Sequence, residues 1–141
     1  MLKLGGYINI LIAIGHVVSL LWAEQVFELT GVADEMAYLM QIHSTLPYLL
    51  TILVVVAFLI FGLYGLSADD KFRKLPFLKP AIFIIAGIYL LRGIAGFIPI
   101  IASQSKYPTL DTCYSLIAVF VGLLYLIGGI KKWRIKETVS N

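Results

Sequence analysis

The sequence predicts an all-α integral membrane protein: a four-transmembrane-helix bundle, with a short amphipathic helix in the first outer loop. Three observations predict it. Hydrophobic residues fill 60% of the 141 positions and charged residues only 13%, against roughly 25% charged in an average soluble domain. Four apolar runs each come close to the about 20 residues that a helix needs to cross a bilayer. Lysines and arginines gather in alternate connections, as they do around membrane spans. The length allows one domain, residues 1–141, with no separate soluble module.

The first span runs from about Leu4 to Trp22. It is long, and Leu21 and Ala23 make no small-x-small cleavage site, so the reading is a retained helix and not a cleaved leader. The second runs from Leu46 to Leu66, the third from Pro80 to Ile101 and the fourth from Thr112 to Ile130. Pro47 and Pro80 lie in first turns, where a missing N–H costs nothing. Pro99 falls in the last turn of the third span, where it bends or ends the helix. Between the first two spans, Val32, Met36, Leu39, Met40 and His43 recur at helical spacing opposite Asp34, Glu35 and Gln41. That pattern predicts a short amphipathic helix resting on the outer surface or capping the bundle.

Orientation follows from the basic residues. Lys3, Lys71, Arg73, Lys74, Lys79, Lys131, Lys132, Arg134 and Lys136 lie beside one set of span ends, and only Lys106 lies beside the other. This bias predicts both termini in the cytoplasm. The net charge of +3 does not indicate nucleic acid, because the basic residues flank apolar runs as headgroup anchors do and form no polar-surrounded patch. A single cysteine, Cys113, excludes an intramolecular disulfide, a CxxC redox pair and a thiolate-rich metal site; it reads as structural.

The candidate functional residues are polar groups within the spans. Arg92 stands twelve residues beyond Pro80, roughly 18 Å into the membrane. A mid-membrane arginine costs about 2.5–3.5 kcal/mol, so it must face protein, water or a bound anion. Its structural alternative is an ion pair with Asp111 or Glu24. His16 falls at a similar depth in the first span, on one face with Asn9, Ala13 and Leu20; such a histidine also serves as a hydrogen-bonded packing residue. In the fourth span Asp111, Tyr114, Ala118, Gly122, Tyr125 and Gly129 form a stripe flanked by Ser115, which suits close helix contact. His43, Thr45, Tyr48 and Thr51 add polar groups at the outer end of the second span, and Tyr89 sits beside Arg92 in the third. Together these predict a polar cavity in the outer half above an apolar plug in the inner half. The predicted ligand-binding set is Arg92, His16, Tyr89, His43, Tyr48, Asp111, Tyr114 and Ser115. No metal site is predicted: the histidines and acids lack metal spacing, and Arg92 would repel a cation.

The stretch Leu63-Tyr64-Gly65-Leu66-Ser67-Ala68, then Leu75-Pro76, then Tyr89-Leu90-Leu91-Arg92-Gly93 resembles a group of small, uncharacterised four-span bacterial membrane proteins. A membrane histidine in the first helix and an LLRG-like segment in the third recur there. The resemblance implies a bacterial inner membrane and brings no activity. The Arg92 segment is also similar to that of the DoxX type of four-helix protein, but there it belongs early in the chain and here it stands in the third span.

The primary functional reading is a binding or transport module without catalysis and without a cofactor. A small amphiphilic or anionic ligand, such as a lipid, isoprenoid or quinone-like molecule, would enter from the outer side, with Arg92 on its anionic or carbonyl end. One alternative is a haem- or porphyrin-handling redox protein with His16 and His43 as axial ligands. The other is an accessory subunit, with a homo-oligomeric or membrane-complex partner across its polar seam.

Overall fold

The computed structural model describes the backbone of residues 1–68 and 75–139 and the side chains of 1–68 and 75–134. Lys71, Arg73, Lys74 and the side chain of Lys136, which enter the charge bias, lie outside the described residues. The chain forms α1 (Leu2–Ser19), a 3-10 turn at Leu20–Trp22, α2 (Ala23–Thr30), α3 (Ala33–Ile42), α4 (Leu46–Ser67), α5 (Leu78–Ile101) and α6 (Pro108–Val139), with no strand among the described residues. Four of its helical stretches are long and apolar enough to cross a membrane: Leu2–Thr30, Leu46–Ser67, Leu78–Ile101 and Pro108–Arg134. The protein is an all-α membrane-spanning bundle.

The element boundaries follow local chemistry. Proline opens α4 at Pro47 and α6 at Pro108, where the fixed φ suits a first turn and no N–H is missed. At the far end of α5, the carbonyl of Pro99 accepts the Gln104 and Ser105 N–H groups at 2.9 and 3.2 Å, which closes the helix. Several boundaries differ from the sequence expectation: α1 begins at Leu2 and not Leu4, α5 begins at Leu78 and not Pro80, and α6 continues past Ile130 to Val139. The fourth span begins at Pro108, not Thr112, because Asp111 sits in a first turn, where the helix dipole favours an acid. The first outer connection holds two helices, not one. After the 3-10 turn, α2 continues the first span and buries Ala23 and Phe27, and Gly31 ends it in the left-handed conformation (φ 77°) that glycine adopts without strain. The expected amphipathic helix is α3, with Met36, Leu39 and Met40 half-buried and Asp34, Glu35 and Gln41 exposed.

The four spans pack as two close pairs. In the first, α1 lies against antiparallel α4. A Cβ on Gly6 would come within 2.9 Å of the Gly62 carbonyl, and one on Gly65 within 2.8 Å of Gly6 Cα, so glycine alone permits this approach of backbones. In the second, α5 lies against α6, and Gly93 and Gly122 meet Val119 and Leu90 in the same way.

The pairs join through the half of the bundle that carries the chain termini, here called the terminal end. Asn9 is fully buried. Its Nδ2 donates to the Gly5 carbonyl at 2.9 Å and to Tyr125 Oη at 3.2 Å, and its Oδ1 accepts from Tyr89 Oη at 2.5 Å. Tyr125 in turn donates to the Phe61 carbonyl at 2.7 Å. Four spans thus meet at one satisfied polar knot, surrounded by Leu2, Ile82, Ile85, Ala86 and Val121. The expected apolar plug is therefore corrected: this half has a polar centre, because a side-chain amide on α1 faces two tyrosines that the fourth- and third-span stripes bring to the same level. At the opposite, loop end, Tyr114 Oη donates to the Thr30 carbonyl at 3.3 Å, and Lys106 pairs with Asp34 at 2.5 Å. The hydrogen bond to Asp34 and its negative charge raise the Lys106 pKa above its ordinary value.

Candidate functional site

Among the described residues, the hydrogen bonds, ion pairs and ring contacts that join the two pairs fall into two groups. One group ends at the level of Phe58 and Tyr89, whose rings lie 6.5 Å apart. The other is the loop-end contact of α2 and α3 with Tyr114 and Lys106. Between these levels lies a stretch of the loop half where the pairs stand side by side without such a contact. Arg92 and His16 belong to this stretch.

Arg92 lies fourteen residues from Leu78 and nine from Ile101, so its Cα is about 21 Å from one end of α5 and about 13 Å from the other. It is exposed. Among the described residues no hydrogen-bond or ion-pair partner meets it. Tyr89, three residues earlier, reaches across to Asn9 of the first pair, so residues one turn apart from it share that outlook. A Cβ on Gly96 would come within 2.9 Å of Arg92 Nη1, which places the guanidinium one turn further along, toward the loop end. Gly96 leaves the room for it.

His16 stands seven residues beyond Asn9, two turns further on the same face. Its Nδ1 lies 2.8 Å from the Ile12 carbonyl; a carbonyl only accepts, so Nδ1 carries the proton and Nε2 is left as an acceptor. Its ring rests on Phe58, with centroids 5.3 Å apart. Gly96 is likewise seven residues beyond Tyr89. Because Asn9 and Tyr89 are bonded, the His16 ring and the Arg92 guanidinium stand at about the same height, roughly 10 Å above the knot, one on each helix pair.

The remaining predicted residues divide. Ser115 is fully buried and its Oγ has no hydrogen-bond partner. A Cβ on Gly96 would collide with it and with Arg92 Nη1, so both side chains lie close to Gly96. Tyr114 turns to α2, as described. Tyr89 belongs to the knot. Asp111 accepts from Ser105 Oγ at 2.6 Å and so orders the α5–α6 connection; the expected pairing of Arg92 with Asp111 or Glu24 does not form. Tyr48 is exposed at the start of α4. His43 is exposed, and its Nδ1 accepts the Thr45 N–H at 3.3 Å and Thr45 Oγ1 at 2.7 Å; it caps the turn into α4. His16 lies against Phe58, twelve residues into α4, whereas His43 precedes that helix, so about 18 Å of helix separates their levels. The two histidines do not converge on one iron. Among the described residues, no three His, Cys, Asp or Glu side chains gather as a metal site would require.

Sequence reasoning placed Asn9 and Tyr125 on inward stripes but did not connect them. The signal was present in the spacing: Asn9 lies seven residues before His16, and Tyr125 ten after Ser115. Cys113 is exposed on α6 and is free. Cys113→Ser is expected to leave both folding and amphiphile binding unchanged, measured by thermal unfolding and native mass spectrometry; lost binding in a folded variant would contradict the structural reading. No family model, curated protein or solved structure matches the chain, and its function is therefore inferred from its own residues.

Proposed function

We propose that the protein binds a small amphiphile with an anionic head between its two helix pairs, at the level of Arg92 and His16. The observation that carries this reading is Arg92: a mid-membrane guanidinium, exposed and without a partner among the described residues, beside Gly96 and level with a stretch where no hydrogen bond, ion pair or ring contact joins the pairs among the described residues. An unpaired charge at this depth costs about 2.5–3.5 kcal/mol on insertion scales, and an anionic ligand offsets that cost. The head would bind to Arg92, while the tail would lie against His16, Phe58 and the apolar faces of α1 and α5. The protein acts here as a binding or transfer module, set in a bacterial cytoplasmic membrane with its termini inside.

Two measurements test this reading. A reporter fused after Asn141 is expected to report from the cytoplasm and one inserted near Val32 from the outside, from the basic bias; an external C-terminal reporter would overturn the orientation. For the ligand, thermal unfolding is followed with amphiphiles of one chain length that differ only in the head. Fatty acids and alkyl phosphates are expected to stabilise the protein and the matching alcohol to do so weakly. Equal stabilisation by all three would reject the role of charge. The unpartnered arginine also suits a carboxylate on a second membrane protein, and in that case none of the three stabilises the purified chain.

A further inference from the structure

We infer that Ser115 is the second head-binding residue of the site at Arg92: its hydroxyl donates to one oxygen of an oxyanion head, a carboxylate or phosphate, whose other oxygen Arg92 holds. The inference rests on the reading of Arg92 given above and deepens it, because two converging donors select a head with two acceptor oxygens on one centre.

The argument starts from a hydroxyl that lacks a bond. Ser115 is fully buried on α6, and its Oγ has no hydrogen-bond partner. Burial strips a hydroxyl of water, so nearly all such groups in folded proteins are paired within the chain, or with water or a ligand. Inside a helix the usual partner is the carbonyl four residues earlier. Thr51 and Thr112 of this protein use it, donating to the carbonyls of Pro47 and Pro108 at 2.9 and 2.6 Å. Ser115 makes no such bond, and its Oγ stands against α5 at Gly96.

A second unpaired donor meets it there. A Cβ on Gly96 would collide with Ser115 Oγ and come within 2.9 Å of Arg92 Nη1. A guanidinium offers donors and no acceptor, and Arg92 has no ion-pair partner among the described residues. Asp111, one turn before Ser115 on α6, is taken up by Ser105 Oγ at 2.6 Å. The two donors therefore share a place and want the same thing, an anionic oxygen. Gly96 is half-buried, so that place is open on one side. In the proposed complex the Arg92 side chain swings from Gly96 onto the head, and one oxygen of the head takes its place beside Ser115.

The test titrates the full chain with dodecanoate, dodecyl phosphate and dodecanol, and follows binding by native mass spectrometry and unfolding temperature by heating. Ser115→Ala removes the hydroxyl and keeps a small side chain at the α5–α6 contact. It is expected to weaken the anionic amphiphiles about tenfold, the size of one hydrogen bond to a charged group, and to leave dodecanol unchanged. The ligand-free variant is expected to unfold at the same temperature as wild type or higher, because an unpaired buried hydroxyl is gone. Whichever anion binds wild type more tightly identifies the head. If Arg92→Leu loses dodecanoate and dodecyl phosphate while Ser115→Ala binds both as wild type does, this inference is overturned and the reading of Arg92 stands. If Arg92→Leu binds them as wild type does, the reading of Arg92 fails and this inference with it. A less stable Ser115→Ala with unchanged binding, or an equal loss of dodecanol, would place the hydroxyl in helix packing and also overturn the inference.

Discussion

Gly65→Leu is expected to prevent α1 and α4 from closing, lowering stability by about 3 kcal/mol or more. Its first added carbon would lie 2.6 Å from Tyr125 Oη and 2.8 and 2.9 Å from Gly6 Cα and N. Two of these obstacles are backbone and cannot turn aside as a side chain would. The third is the hydroxyl through which Tyr125 holds Asn9 and the Phe61 carbonyl. One substitution therefore opens the helix seam and disturbs the knot together. Gly15→Leu supplies the control, because nothing lies within 4 Å of a Cβ there; leucine also has the better helix propensity. Thermal unfolding in detergent should show a large loss for the first variant and none for the second. Similar stability of the two would mean that the glycine seam does not hold the pair.

Asn9→Ala is expected to cost about 2 kcal/mol. The change removes the acceptor of Tyr89 and a donor to Tyr125, and leaves a small void in the buried centre where both pairs join. Interhelical hydrogen bonds in membrane proteins average only about 0.6 kcal/mol. Two such bonds, an unsatisfied tyrosine hydroxyl and the void bring the sum to the stated size. Tyr89→Phe, which removes one hydroxyl and keeps the ring packing on Phe58 and Phe61, should cost less than half as much. Equal losses for the two variants would place the whole effect in the one bond from Tyr89 to Asn9 and contradict a knot shared among the four spans.

The four spans were legible because their apolar runs match the thickness of a bilayer, a constraint that acts on sequence directly. Helix α2 was not. Glu24 and Glu28 interrupt the apolar run and mark its end as a loop, whereas burial of Ala23 and Phe27 carries the helix on past Trp22. At the site, the position of Arg92 along its helix and the face shared by His16 and Asn9 followed from helical rise and periodicity. Neighbours across helices did not follow. Periodicity fixes which residues share a face and leaves open which helix stands opposite, so the bond from Asn9 to Tyr89 and Tyr125 appeared only with the packing. For the same reason His43 and Tyr48 seemed to belong with Arg92 by their outer position, while the packing uses His43 as a cap and leaves Tyr48 exposed.

The account turns on whether the charge of Arg92 holds an amphiphile or holds the fold. Native mass spectrometry of wild type, Arg92→Lys and Arg92→Leu, each purified in the same mild detergent beside its unfolding temperature, separates these directly. With no partner stranded among the described residues, Arg92→Leu should fold with equal or greater stability, since a membrane-buried charge is removed. It should lose the bound anionic amphiphile, and Arg92→Lys, which keeps the charge but not the planar fork, should retain part of it. A drop in stability for Arg92→Leu with the wild-type set of bound amphiphiles would contradict the binding role and place Arg92 in the fold.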